Sequence, residues 1–99
     1  MDAQPAAEIE REYLLDLGRQ LRAARRQLGL SLKLVEARTG GEFKASALGA
    51  YERAQRTISV PRLHRLAHVY GTTVDRLLPT DQAVIDLRDS AIEPARSLT

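Results

Sequence analysis

The sequence predicts an all-α domain of five short helices. Three observations carry this. Apolar residues recur at three- and four-residue spacing in successive segments, and glycine or proline separates those segments. Hydrophobic residues make up 43% of the chain but aromatics only 4%, so the core is built from Leu, Val and Ala, which suits packed helices better than a β-sandwich. The 99 residues have the size of one domain with a tail at each end.

In the first helix Leu14, Leu17, Leu21, Ala24 and Leu28 form one stripe, with Arg19, Arg22 and Arg26 off it. Pro5 fits a first turn, and Ile9 and Tyr13 extend the stripe upstream, so the helix is expected to begin near Ala6. Gly29 stands where a C′ glycine stops it. Ser31 is a good N-cap for a second helix, Leu32 to Thr39, which Gly40-Gly41 ends. A third helix, Lys44 to Arg53, has Leu48 and Tyr51 as its inward pair. The segment "RTIS" is a loop, and Pro61 opens a fourth helix with Leu63, Leu66, Ala67 and Tyr70 inward, closed by Gly71. Thr73 caps a short fifth helix carrying Val74, Leu77 and Leu78 before Pro79. Beyond it, "AVIDLRD" (Ala83 to Asp89) alternates in the manner of a short strand, which needs a partner to be stable.

The formal net charge of +2 conceals an asymmetry. Residues 1–12, an acidic N-terminal extension, carry −3, and the tail at 80–99 carries −2. The domain between them, 13–79, holds twelve Lys and Arg against five Asp and Glu, a balance of +7. A basic centre between acidic flanks suits a polyanion partner, although arginine is also common on ordinary helix surfaces. There is no cysteine, which excludes disulfides and thiolate metal sites. The start of the chain does not read as a signal peptide, and no apolar run is long enough for a membrane span. These features fit a cytoplasmic protein, expected at the nucleoid if its polyanion partner is DNA.

A basic junction between the second and third of five short helices suggests a helix-turn-helix. In that motif the N-terminal residues of the third helix meet base edges in the major groove, so they must be small or polar. Here they are Lys44, Ala45 and Ser46, followed by Ala47, Gly49 and Ala50. Gly49 costs about 1 kcal/mol relative to alanine inside a helix. Close backbone approach explains it, either in the groove or against a neighbouring helix. Lys44 and Ser46 can bond bases or phosphates, and Arg53, Arg56, Thr57 and Ser59 are placed to meet phosphates as the helix leaves the groove.

The stretches "LRAARRQLGLSLKLVEARTG" and "LGAYERAQRTISVPRLHRLAHVYGTTVDRLLP" give residues 17–79 a resemblance to the Cro/C1 (xenobiotic-response-element) helix-turn-helix family. Through "GLSL", "FKA", "GAYER" and "YGTTVDRLLP" it is most similar, within that family, to the BldD-like actinobacterial developmental regulators. The resemblance implies a five-helix fold, homodimeric binding to palindromic promoter DNA, and transcriptional regulation, here read as repression. It implies DNA-facing positions at Lys33, Lys44, Ala45, Ser46, Gly49, Arg53 and Arg56. It also implies an ion pair between Arg25 of the first helix and Glu52, which would neutralise a carboxylate on a DNA-binding face. Cyclic di-GMP is implied only through a C-terminal domain beyond this chain, of which "AVIDLRD" would be the start, and no cofactor is expected in the 99 residues themselves.

Three departures from the family pattern stand out. The turn from Gly40 to Phe43 is longer than usual, Leu32 replaces a DNA-touching glutamine, and Glu42 precedes the recognition helix where a basic residue would suit DNA better. Glu42 is expected to cap that helix.

Competing chemistry is thin. His64 and His68 have the i, i+4 spacing of zinc ligands, but the fourth helix has no acidic residue and the chain no cysteine to complete a site. Ser31, Ser46 and Ser59 have no adjacent general base, and no Gly-rich phosphate loop follows a strand, so no enzyme is expected. The rival reading is a protein-binding helix-turn-helix adaptor or antitoxin, with Leu32 and Leu34 as the partner surface.

Overall fold

The computed structural model describes residues 6–79. Five helices follow in order: α1 (Ala6–Gln27), α2 (Leu32–Arg38), α3 (Ala45–Glu52), α4 (Val60–Val69) and α5 (Val74–Leu77). No strand occurs among the described residues. The expected strand at Ala83 to Asp89 and the first-turn role of Pro5 lie outside them.

Helix α1 is continuous through Glu12 and Tyr13 and buries Leu17, Gly18 and Leu21. Glu8 in its first turn and Arg25 and Arg26 in its last complement the helix dipole. It ends one residue before Leu28, the expected last member of the apolar stripe. Leu28 is 51% exposed, and Leu30 is buried instead as the chain turns at Gly29.

Helix α2 starts as its cap predicts, with the Ser31 hydroxyl accepting from the Leu34 N–H at 3.1 Å. Thr39, expected as its last residue, is the C-cap. Helix α3 runs one residue shorter than expected at each end, because Lys44 and Arg53 are its flanking caps. Ser59 caps α4 by accepting from the Arg62 N–H at 3.3 Å, with Pro61 in the first turn. Thr73 occupies the N-cap position of α5 without a side-chain bond.

The core lies where α3 packs on α1 and α2 while α5 packs on α1 and α4. Leu21, Val35, Phe43, Leu48 and Leu66 are its most enclosed side chains, joined by Leu17, Leu63 and Leu77. Phe43 and Ile58 come from connecting segments, so the loops as well as the helices fill the core.

One contact fixes the α1–α3 crossing. A Cβ added to Gly18 would overlap the Glu52 carbonyl oxygen and sit 2.9 Å from that of Tyr51. The two backbones meet there because glycine removes the side chain that would hold them apart.

Candidate nucleic-acid interface

The α2–α3 unit is built around a six-residue connection, 39–44, that needs its own support. Gly40 and Gly41 take φ values of 62° and 81°, a left-handed pair that reverses the chain after α2. The Gly41 N–H donates to the Glu36 carbonyl at 2.9 Å. The Thr39 hydroxyl donates to the Val35 carbonyl at 2.9 Å and accepts from the Phe43 N–H at 3.3 Å. Phe43 then plugs the core at 0% exposure, with the Arg62 guanidinium 4.6 Å from its ring centroid. The longer turn is therefore pinned at both ends.

Glu42 does not cap α3. Both its carboxylate oxygens accept from Arg65 Nε of α4, at 3.1 and 2.9 Å, and this hydrogen bond raises the Arg65 pKa above its ordinary value. The α3 N-terminus is met instead by Glu36 of α2, whose Oε1 accepts from the Ala45 N–H at 2.8 Å.

Around α3 the expected contact residues divide into groups. Lys44, Arg56, Thr57 and Ser59 line one shallow depression of about 440 Å³, together with Glu42, Ala47, Tyr51 and Arg62. Arg56 stands 5.9 Å from the Tyr51 ring centroid. Ser46 and Lys33 are exposed outside that depression, and Ala45 is half-buried. Arg53 is exposed but folds back on its own helix, donating from Nε to Gln55 Oε1 at 3.2 Å. Gly49, expected on the open face, is buried: an added Cβ would lie 2.8 Å from Arg53 Nη1 and 3.4 Å from Leu32 Cδ1. The nearest covering atoms are side-chain atoms of Arg53 and of Leu32 in α2 rather than another backbone. Leu32 is accordingly half-buried against the core.

Behind this face Arg25 and Glu52 form a two-point ion pair. Nε donates to Oε2 at 2.7 Å and Nη2 to Oε1 at 2.9 Å, while Nη1 donates to the Leu30 carbonyl at 2.7 Å. The two side chains are 11% and 7% exposed. The Glu52 hydrogen bond raises the Arg25 pKa, against the lowering effect of burial. Tyr70 lies in the same electrostatic neighbourhood. Burial pushes its phenol up to about 12, and its buried hydroxyl has no hydrogen-bond partner among the described residues.

With this geometry the comparisons with known proteins agree. A family model described as a helix-turn-helix domain matches residues 16–79. The chain belongs to the helix-turn-helix domain family. Its fold is similar to a crystal structure of the DNA-binding domain of BldD, with TM-score 0.68 and 49% identity over 70% of this chain and 97% of that one. It is similar also to the S. venezulae BldD DNA-binding domain, with TM-score 0.67 and 50% identity over 69% of this chain and 99% of that one. No curated protein matches the chain.

In this helix-turn-helix domain some residues have roles that their spacing did not signal. Arg11 reaches from α1 to donate to the Ala54 carbonyl at 2.5 Å, holding the turn after α3, where Ala54 adopts a φ of 58°. Arg62 links Phe43 and the Glu42 carbonyl, the latter at 3.4 Å. Glu36 lies within α2, and only the path of the following turn brings the start of α3 to its carboxylate. His64 and His68 are both exposed, and no group of three His, Cys, Asp or Glu among the described residues is arranged to hold a metal ion. None of the described helices is long and apolar enough to cross a membrane.

Proposed function

We propose that this domain is a sequence-specific DNA-binding transcriptional regulator. Its recognition helix is α3, entered in the major groove from the Lys44 end. The observation that carries the reading is the depression beside α3, where Arg56 and Arg62 converge with the hydroxyls of Thr57 and Ser59, Lys44 joins the lining from the start of α3, and the Glu42 carboxylate in the same lining is engaged by Arg65. Cations and hydroxyls in one shallow, open surface suit a phosphate backbone, while Ala45 and Ser46 leave the helix slim enough to approach bases. The similarity to BldD DNA-binding domains at 49% and 50% identity supports the same reading.

In this proposal Lys33, Lys44, Ala45 and Ser46 face the groove, and Arg53, Arg56 and Thr57 meet phosphates once Arg53 swings off Gly49. Two copies occupy a palindromic promoter site as a homodimer on DNA, because one module of roughly 600–1,000 Å² rarely gives tight specific binding alone. Between the two outcomes of promoter occupancy, repression and activation, the proposal takes repression, acting in the cytoplasm on the nucleoid. No cofactor is assigned to these helices; control by cyclic di-GMP would belong to a C-terminal domain outside them.

The test is electrophoretic retardation of duplex DNA across a salt series, using sites selected from a random pool. Binding that falls steeply with salt and enriches a palindrome supports the proposal. Failure to enrich any sequence overturns it and favours the adaptor reading, for which the exposed Leu34, at 38%, is the motivating feature.

A further inference from the structure

The recognition helix α3 lacks the capping equipment of α2 and α4. Its N-cap is Lys44, which supplies no side-chain hydrogen bond, and its first turn holds no acidic residue. Ser31 and Ser59 cap α2 and α4 from their own N-cap positions. At α3 the acceptor is imported from nine residues upstream: Glu36 Oε1 takes the Ala45 N–H at 2.8 Å. Its second oxygen lies 4.0 Å from Lys44 Nζ, and the Lys44 side chain is 68% exposed. The Glu36 carbonyl holds Gly41 at 2.9 Å and accepts from the Thr39 hydroxyl at 3.2 Å. One residue of α2 thus grips the connection at its beginning through the backbone and the start of α3 through the side chain.

We infer that Glu36 is a positioning residue that sets the register of the recognition helix and moderates Lys44. The inference rests on the DNA-reading proposal for α3. The chemistry of the carboxylate gives it two effects. As an acceptor it fixes the direction in which Ala45 and Ser46 leave the turn, and hence which base step they meet. As a negative charge on the DNA-facing side it repels the phosphate backbone that every duplex presents, while beside Lys44 it restrains that side chain near the start of α3, so it weakens sequence-independent binding more than sequence-specific binding.

Glu36→Gln and Glu36→Ala separate the two roles. Glutamine keeps an acceptor for Ala45 and removes the charge; alanine removes both. Amide hydrogen exchange at Ala45 and retardation on the selected site and on a random duplex are measured for each variant. In Glu36→Gln, Ala45 should stay protected, sequence ranking should persist, and affinity for random duplex should rise severalfold at low salt. In Glu36→Ala, Ala45 exchange should accelerate by about fivefold or more relative to the amides of α4, the factor expected for losing a typical cap. The ratio of specific to random affinity should fall, while a merely structural role would lower both affinities together. Unchanged Ala45 exchange in Glu36→Ala, or an unchanged affinity ratio in a folded Glu36→Ala protein, overturns the inference. If the wild-type domain binds no duplex, the DNA-reading proposal fails and the specificity half falls with it; the exchange measurement still decides whether Glu36 caps α3.

Discussion

Gly18 of α1 lies so close to the carbonyl of Glu52 that a methyl group in its place would overlap that oxygen. The same Glu52 sends its side chain to Arg25, two turns further along α1. Main chain and side chain of one residue therefore define how α3 rests on α1.

Replacing Gly18 by alanine tests the first half of that arrangement. Helix propensity alone predicts a gain of about 1 kcal/mol, since Gly18 is mid-helix. The obstructing atoms are backbone, however, and cannot rotate away as a side-chain tip can. Overpacking of this kind costs roughly 1–3 kcal/mol or more, so the clash should win. Gly18→Ala should lower the urea midpoint; a raised midpoint would show that the helices separate at little cost.

Replacing Glu52 by alanine tests the second half. Arg25 would be left with the Leu30 carbonyl as its remaining partner at a site where its side chain is 11% exposed. Stranding one member of a fully buried pair costs about 3–5 kcal/mol; this pair is part-buried, so the loss should fall toward or below the lower end of that range, still a large share of a small domain's stability. Thermal unfolding of Glu52→Ala should begin far below that of the wild type. A midpoint that does not move would mean the pair contributes nothing to holding α1 and α3 together.

The helices are legible in the sequence because each depends on local signals. Ser31 and Ser59 act as caps, Gly29 and Gly71 stand just beyond helix ends, and Leu17, Leu21, Leu63 and Leu66 follow the helical period. The Arg25–Glu52 pair comes from family resemblance rather than from spacing, since the residues are 27 apart in the chain. What local signals do not give is set by packing across segments. Phe43 reads as part of a turn and is core; Gly49 reads equally as facing a groove or a neighbouring helix and is covered by the side chains of Leu32 and Arg53; Glu42 reads as a cap and belongs to Arg65. Gly18 carries no signal of its own, because only the position of α3 gives it a purpose.

Tyr70 offers a prediction in pH. Burial, reinforced by the charge of Glu52 and opposed by Arg25, pushes its phenol from 10.0 up to about 12. A group whose folded pKa is raised adds stability that is fully present below the unfolded value and disappears as pH climbs through the folded one. The window is therefore about pH 10 to 12. The stability at stake is about 3 kcal/mol, since each tenfold weakening of the acid is worth about 1.36 kcal/mol. Tyr70→Phe removes that loss, so its stability should decline less than that of the wild type across the window. At neutral pH the change also removes a buried hydroxyl without a partner among the described residues, so the variant should be as stable or up to about 1 kcal/mol more stable. Equal alkaline declines in the two proteins, measured by urea unfolding at about pH 9 and about pH 11.5, would assign the loss to other groups.

The division of labour around α3 gives the last prediction. Arg56 and Thr57 line the depression beside the helix, and Arg53 stands at its end, none of them at its N-terminus. On the DNA-reading proposal they meet phosphates, which carry no sequence information. Arg53→Ala and Arg56→Ala should therefore weaken binding to all duplexes alike, each lowering the slope of log affinity against log salt by about one. Lys44 and Ser46, exposed at the start of α3, face the other task. Lys44→Ala or Ser46→Ala should change preference at one or two base pairs, by about 1–3 kcal/mol wherever a well-formed hydrogen bond to a base edge is removed. Selection from a random pool with each variant reads both effects at once, because it reports the preferred sequence and the salt at which binding disappears. Uniform losses for all four variants, with no shift in the selected sequence, would mean that the N-terminus of α3 does not face base edges, and would move the reading surface elsewhere on the domain.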